Sequence, residues 1–285
     1  MTEPRISVTL VEALIADQFP HWAHLPVQPV NPQGWDNRTF RLGEEMAARL
    51  PSAARYAAQA AKEQRWLPHL AAHLPLQVPE PLAAGKPSES YPFQWSIMRW
   101  LPGETVAQTE AALQQSIAAD LADFLNALRR VPTTDAPGAG LHNFYRSGDL
   151  RIYDQEARHC LAQLGEAVDG AGILRLWDRA CQSAWTAAPV WVHGDVAPGN
   201  LLLRNGRLGA VIDFGCCGIG DPACDLTIAW TLFDTPARKI FRDGIGLDAQ
   251  TWARAMGWAI WKALLQMCQG QTIGQNTLTA VMAET

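Results

Sequence analysis

The chain has 285 residues, which is enough for one large domain or for two lobes that each have a hydrophobic core. Hydrophobic residues make up 48% of the sequence and charged residues 18%, as in an ordinary globular protein. The formal net charge is -5 and no basic run occurs, which argues against a nucleic-acid-binding protein.

The N-terminus has acidic residues within its apolar pattern, so it resembles neither a signal peptide nor a membrane span. No uninterrupted run of about 18 apolar residues occurs elsewhere, and we therefore expect a cytoplasmic protein without membrane contact. The six cysteines lack the paired spacing of a zinc site, and reduced thiols fit that compartment. We interpret the adjacent Cys216 and Cys217 as small buried residues rather than as a redox pair.

The first third of the chain predicts a small sheet crossed by one helix. An amphipathic helix over residues 9–19 is followed by strands that turn at Gly34 and Gly43. An alanine-rich helix follows, with Ser52 as its expected N-cap and Pro68 as an expected break. Two more apolar strands complete this part before residue 101.

The segment "LPGE" at residues 101–104 predicts a hinge, because helical periodicity begins after it. We therefore divide the chain into lobes at residues 1–100 and 101–285. A long loop is expected at 132–148. The helices predicted in the second lobe lie at 109–131, near 153–167 and 172–187, and from Asp221, Pro236 and Asp248 onward.

The stretch from Val190 to Leu226 alternates apolar strands with polar loops. Asn205-Gly206 predicts a tight hairpin, because both residues tolerate positive φ. The hairpin would bring Asn200 close to Asp213 in space.

Phosphoryl transfer requires a carboxylate that orients the attacking hydroxyl and oxygen ligands for Mg²⁺. His193-x-Asp195 followed by Asn200, and then Asp213-Phe214-Gly215 after the hairpin, supplies these groups in the order of a kinase catalytic loop and its metal-binding Asp. Solvated loop residues are the alternative interpretation. The combination of groups at this spacing favours the kinase interpretation.

The motifs "HGDVAPGN", "VIDFG" and "GDPACDL" resemble those of the aminoglycoside phosphotransferase family, small-molecule kinases that share the protein-kinase fold. The resemblance implies a two-lobed α+β fold with a small antiparallel sheet, a mostly helical second lobe, and Mg²⁺ with ATP or GTP. It implies that Asp195 is the catalytic base and that Asn200 and Asp213 bind the metal. His193 would stabilise the loop, and Asp225 would be a buried carboxylate bonded to the loop backbone.

The resemblance is weaker in the first lobe. Residues 33–43 are similar to the family's phosphate-covering hairpin, in which Gly34 and Asn37 would let backbone amides approach the nucleotide. Arg49 occupies the position of the usual kinase Lys, and Glu63 would be its partner on the crossing helix. A surface ion pair is the alternative interpretation of these two residues.

At the hinge, backbone groups of Arg99 and Leu101 would bind the base, with Met98 packed behind it. Trp100 is assigned equally to base stacking and to the core. Gly194 replaces the Arg of the protein-kinase H-R-D motif, and only five residues separate Gly215 from Asp221. We therefore expect no activating phosphorylation.

The resemblance implies a small-molecule hydroxyl acceptor, an antibiotic or a metabolite, and no obligate protein partner. Acids and bases nearly balance after Asp195, so charge does not favour an aminoglycoside. The alternative function is a non-catalytic, nucleotide-binding regulator, which only Arg49 supports. Asp221 and Pro222 are interpreted as no more than a helix cap. Four tryptophans on the late helices are interpreted as core residues, and an aromatic wall for the substrate is the alternative: Trp230, Trp252, Trp258 and Trp261.

Overall fold

A computed structural model describes residues 4–106 and 113–284, and shows the two-lobed, kinase-like α+β fold, with an antiparallel-sheet N-terminal lobe and a helical C-terminal lobe. The strands are β1 Val27–Pro29, β2 Asn37–Leu42, β3 Met46–Pro51, β4 Pro81–Gly85, β5 Trp95–Arg99, β6 Glu104–Thr105, β7 Val190–Val192, β8 Leu201–Arg204, β9 Arg207–Val211 and β10 Gly218–Gly220. The α-helices are α1 Val8–Gln18, α2 Ala57–Ala71, α3 Gln114–Arg130, α4 Asp154–Leu164, α5 Gly170–Cys181, α6 Ile228–Thr231, α7 Thr235–Ile245, α8 Ala249–Cys268 and α9 Ile273–Met282. None of the helices in the described ranges is long and apolar enough to cross a membrane.

The N-terminal lobe is a five-stranded sheet in the order β1-β2-β3-β5-β4, with every neighbouring pair antiparallel. Leu42, Leu50 and Ile97 point into one apolar core and are fully buried. Helix α1 closes this core with Val11 and Ile15. Every residue of β2 and β3 is buried or half-buried, so both strands lie inside the lobe rather than at its surface.

Helix α2 corrects two expectations. It begins at Ala57, and the Ser52 hydroxyl does not cap it but donates to the Trp35 carbonyl at 2.6 Å. Pro68 lies inside the helix rather than ending it. Leu67 and Leu70 are both buried in the core there, and this packing outweighs the backbone hydrogen bond that proline removes.

Two helix boundaries in the second lobe also differ from prediction. Helix α5 ends at Cys181, before the predicted residue 187. After Asp221 the chain forms a 3-10 helix over Pro222–Thr227 and only then the short α6. The predicted start of the long helix, at residues 109–112, lies outside the described residues.

The linker passes directly from one lobe's sheet into the other's. Strand β5 ends at Arg99, and β6 then pairs with β8 of the catalytic hairpin, Glu104 opposite Leu203. Gly103 has φ +152, and a Cβ there would lie 2.8 Å from the Leu203 carbonyl oxygen. A residue without a side chain is therefore required at this crossing.

Candidate active site

The catalytic loop begins after β7 and is organised around His193. This side chain is fully buried and packs edge-on against Phe214, with ring centroids 4.5 Å apart. Its Nε2 lies 3.0 Å from the Ile212 carbonyl, and its Nδ1 accepts from the Asp195 amide at 3.2 Å. These partners assign the proton to Nε2. His193 thus contacts both the catalytic loop and the segment before Asp213.

Asp225 lies beneath the same loop. Its carboxylate accepts the amides of His193 at 2.8 Å and Gly194 at 2.7 Å, and the residue is 3% exposed. Burial raises the pKa of Asp225, while His193 and the two amides act in the opposite direction. This is the contact that the family resemblance implies.

Gly194 has a steric reason to be glycine. Its φ is +83, and a Cβ there would lie 2.2 Å from the backbone oxygen of Cys216. The arginine of H-R-D therefore has no room at this position.

Asp195, Asn200 and Asp213 meet at one end of the β8–β9 hairpin, as the Asn205-Gly206 turn predicts. Asn200 Nδ2 donates to the Asp195 carbonyl at 2.9 Å and lies 3.4 Å from Oδ2 of the same residue. The Ile212 amide donates to the Asn200 carbonyl at 2.9 Å, which holds the two loops together. Asp213 has φ +67, a strained conformation for a residue other than glycine and one that clusters at functional sites.

Arg49 joins the two lobes at this point. Its Nη1 donates to Glu63 Oε1 at 2.8 Å and its Nη2 to Asp213 Oδ1 at 2.6 Å. The side chains of Arg49 and Glu63 are only 13% and 3% exposed, so the surface-pair interpretation is wrong. Burial lowers the pKa of Arg49, but Glu63 and Asp213 more than reverse this and raise it. The planar guanidinium of Arg49 donates to Glu63 and Asp213 at the same time through two separate nitrogens, which a Lys could not do in this geometry.

The oxygen atoms that remain suit Mg²⁺. Among the described residues, Asn200 Oδ1 and Asp213 Oδ2 accept no hydrogen bond, and the Asp213 side chain is 37% exposed. The described residues contain no cluster of three or more His, Cys, Asp or Glu side chains that could hold a metal. One carboxylate and one amide are nevertheless a fitting set, because Mg²⁺ in kinases takes its other ligands from phosphates and water.

The loop predicted to cover the phosphates lies between β1 and β2. Asn37 is buried at its end, and its Nδ2 has no hydrogen-bond partner. The Gly34 carbonyl accepts from Arg38 Nη1. Asp36, which sequence reasoning missed, accepts from Gln59 Nε2 at 2.9 Å. Burial raises the pKa of Asp36, the Gln59 hydrogen bond lowers it, and the nearby Asp213 and Asp195 raise it again.

The hinge differs in detail from the expectation. The Arg99 amide donates to the Glu80 carbonyl at 2.8 Å, so it belongs to the sheet and cannot donate to a base. The Trp100 amide likewise donates to the Glu45 carbonyl at 2.7 Å. The Leu101 amide donates to no acceptor among the described residues, so it stays a candidate contact for the base.

Most tryptophans belong to the core. Arg41 covers one face of Trp100, with its guanidinium carbon 4.2 Å from the ring centroid. Met98 is 2% exposed and belongs to the larger hydrophobic core, and its place behind the base stays a prediction. The core interpretation of the four late tryptophans is correct, because each is at most 5% exposed: Trp230, Trp252, Trp258 and Trp261.

Lys262, from α8, is the largest omission of the sequence analysis. Its Nζ lies 3.0 Å from Asp195 Oδ1. Burial raises the pKa of Asp195, but Lys262 and then Arg146 more than reverse this, and the pKa falls to about 2. No local pattern indicates this pair, because its members lie 67 positions apart in the sequence.

Lys62 provides a second contact between the lobes. It is 8% exposed, and its Nζ lies 2.9 Å from His142 Nδ1 and 3.3 Å from the His142 carbonyl. His142 Nε2 lies 2.9 Å from the Gly138 carbonyl, so Nε2 holds the proton. Burial lowers the pKa of both Lys62 and His142, and Lys62 lowers that of His142 further.

Asp221 does more than cap a helix, which corrects our interpretation. It accepts the Ala223 amide at 3.1 Å and also forms a buried pair with Arg254 at 2.6 Å. The nearby Cys216 and Cys217 are buried as expected, and burial raises the pKa of both thiols.

The model of the phosphotransferase enzyme family matches residues 27–258. No curated sequence matches the chain. The GDP and kanamycin complex of APH(2")-IIia aligns with a TM-score of 0.73 and 18% identity, covering 95% of this chain and 96% of the other.

Two further structures share the fold. Macrolide 2'-phosphotransferase MphH from Brachybacterium faecium, an apoenzyme, gives a TM-score of 0.63 at 20% identity and covers 95% of this chain and 98% of its own. A thermostable mutant of aminoglycoside phosphotransferase APH(4)-Ia with ADP and hygromycin B gives 0.65 at 19% identity and covers 95% and 97%. At these identities the likeness shows the fold.

Proposed function

The chain belongs to the phosphotransferase enzyme family, and from this premise we propose that it is a small-molecule kinase. It transfers the γ-phosphoryl group of ATP or GTP to a hydroxyl of an antibiotic, such as an aminoglycoside, or of a metabolite. The observation that supports this best is the meeting of Asp195, Asn200 and Asp213 at one end of the hairpin, beside the buried Arg49–Glu63 pair. Kinase chemistry requires these groups together.

Asp195 orients the attacking hydroxyl. The hydroxyl oxygen forms a bond to the γ-phosphorus, the bond from that phosphorus to the bridging oxygen breaks, and a nucleoside diphosphate leaves. The hydroxyl proton goes to the Asp195 carboxylate. Because the pKa of Asp195 is about 2, this carboxylate is a weak base, and the proton moves late, when the new P–O bond has made the oxygen acidic.

The donor binds between the lobes. Asn200 and Asp213 would hold Mg²⁺, which supplies neutralisation of the phosphate charge when bound. Arg49 lies beside Asp213 and contacts the phosphates, while Gly34 and Asn37 belong to the loop that covers them. Two of the similar structures contain GDP and ADP, which supports a nucleoside triphosphate as donor.

Residues 1–100 serve as the nucleotide lobe and 101–285 as the catalytic and acceptor lobe. His193 and Asp225 hold the catalytic loop in place, and the Leu101 amide contacts the base. The reaction takes place in the cytoplasm and involves neither nucleic acid nor membrane.

The test is nucleotide consumption with Mg²⁺ and ATP or GTP, against a panel of aminoglycosides, macrolides and metabolite alcohols. Asp195→Asn keeps the shape of the side chain and removes its charge. Asp17→Asn, an exposed helix position, is the matched control. We expect acceptor-dependent consumption that only Asp195→Asn abolishes. Magnesium-dependent nucleotide binding without consumption would favour the non-catalytic regulator instead.

A further inference from the structure

Two cations of the second lobe act on the candidate base: Lys262 contacts Asp195, and the charge of Arg146 helps to lower the pKa of Asp195. Lys262 Nζ has Asp195 as its one recorded partner among the described residues. The guanidinium of Arg146 lies 4.7 Å from the Trp261 ring centroid and 5.6 Å from that of Trp258. Within the described ranges Arg146 forms no ion pair, and its Nε is buried with no hydrogen-bond partner. An aromatic platform thus holds a cation whose donor is unsatisfied.

The carboxylates around this point are already engaged. Asp213 and Asp221 are paired with the cations Arg49 and Arg254, as Asp195 is with Lys262, so a polycationic acceptor would compete with built-in cations for these three carboxylates. The engaged carboxylates are Asp213 on Arg49, Asp221 on Arg254, Asp225 on two backbone amides, Asp36 on Gln59 and Glu156 on the Trp261 indole N–H.

We propose, resting on the proposed function, that the acceptor is an alcohol with an anionic group, a carboxylate or a phosphate, close to its reactive hydroxyl. Lys262 and Arg146 bind that group, and they are specificity-determining residues. A hydroxyl that reaches Asp195 places a neighbouring anionic group within a few ångströms of Lys262 Nζ, where a charge-assisted hydrogen bond forms. A neighbouring ammonium group would be repelled.

The test uses two sets of matched alcohols that differ only in the charge of one end. The three-carbon set is aminopropanediol, glycerol, glycerate and glycerol phosphate. The six-carbon set is glucamine, sorbitol, gluconate and sorbitol phosphate. Binding is measured by titration calorimetry on the full chain loaded with Mg²⁺ and a non-hydrolysable ATP analogue. We expect an anionic member of at least one set to bind at least tenfold more tightly than its amine.

Four variants assign the preference to Lys262. Lys262→Arg should keep it, Lys262→Gln should weaken it, and Lys262→Glu should reverse it, so that the amine binds more tightly than the anion. Lys262→Gln serves as the decisive variant if Lys262→Glu does not fold. Lys239→Glu makes the same change of charge at a helix position whose side chain is 75% exposed, and should leave the order unchanged.

Tighter binding of the amines, equal binding of all members of both sets, no binding of any member, or a preference that Lys262→Glu leaves intact would each overturn the proposal. A preference for phosphate over carboxylate, or the reverse, identifies which anion the site takes. These titrations require no turnover, so their failure is distinct from failure of the kinase assay with Asp195→Asn. An alcohol that binds in the expected order but is never phosphorylated would count against the proposed function and leave the charge preference standing.

Discussion

Two cation–carboxylate contacts lie at the candidate active site, and they differ in how deeply the cation is buried. Arg49 is 13% exposed and bridges Glu63 of α2 and Asp213, which follows β9. Lys262 is 26% exposed and reaches one oxygen of Asp195. The first contact holds the lobes together, whereas the second can exchange its partner for a ligand. Burial therefore distinguishes a cation that the fold cannot lose without destabilisation from one whose loss the fold tolerates.

Removal of Arg49 should have the largest effect on stability. Arg49→Met leaves Glu63 buried without its cation, and we expect a loss of about 3–5 kcal/mol in the free energy of unfolding. Urea denaturation measures this. Arg158→Met removes two exposed pairs, with Asp154 and Asp178, and is the control, with an expected loss of about 1 kcal/mol or less. Equal losses in the two variants would contradict the comparison.

Gly194→Ala should follow in size. The new Cβ would meet the Cys216 backbone oxygen at 2.2 Å and must also adopt positive φ, so we expect a loss of about 2–4 kcal/mol and a displaced catalytic loop. Gly206→Ala separates the two causes, because its φ is +74 and nothing lies within 4 Å of its Cβ. That control should lose about 1 kcal/mol. A smaller loss of stability for Gly194→Ala than for Gly206→Ala would show that the loop at Gly194 shifts to accommodate the new Cβ.

The Lys62–His142 contact predicts a dependence of stability on pH. The pKa of His142 is lowered in the folded state, so the unfolded chain binds more protons below pH 6.5. Stability should therefore fall as the pH drops from 6.5 toward the folded pKa. His142→Gln should flatten this part of the curve, measured by thermal unfolding between about pH 5 and 8. His159→Gln, in an exposed part of α4, is the control, and an identical change in both variants would count against the assignment.

Lys262→Gln should have the smallest effect on stability, about 1 kcal/mol or less, because the pair is partly exposed. Its effect should appear in the pH profile instead. The depressed pKa of Asp195 keeps its stabilising charge present above pH 3.8, and this is lost as the pH falls toward about 2. Without Lys262 the pKa of Asp195 rises, so the acid limb of kcat/KM moves to higher pH. An acid limb that does not shift would show that Lys262 does not lower the pKa of Asp195.

Local sequence signals predicted the β8–β9 hairpin and the three polar residues at its end. The Asn205-Gly206 hairpin forms with φ +52 and +74, because two adjacent residues suffice to specify such a turn. Asp195, Asn200 and Asp213 lie within 19 positions of one another, so the hairpin alone brings them together. The helix break at Pro68 was wrong because packing of distant residues outweighed a local preference.

By itself, the sequence determined the Asn205-Gly206 hairpin, because two adjacent residues specify the turn, and its motifs implied the two-lobed fold and the kinase chemistry through their resemblance to a family. Only the tertiary structure decided that Arg49 is buried between two carboxylates, that Lys62 contacts His142 across 80 positions, and that Lys262 reaches Asp195. Such pairs depend on how helices α2 and α8 pack against loops far along the chain. A charged side chain that becomes buried requires a partner, but only the packing of the folded chain decides which residue that partner is.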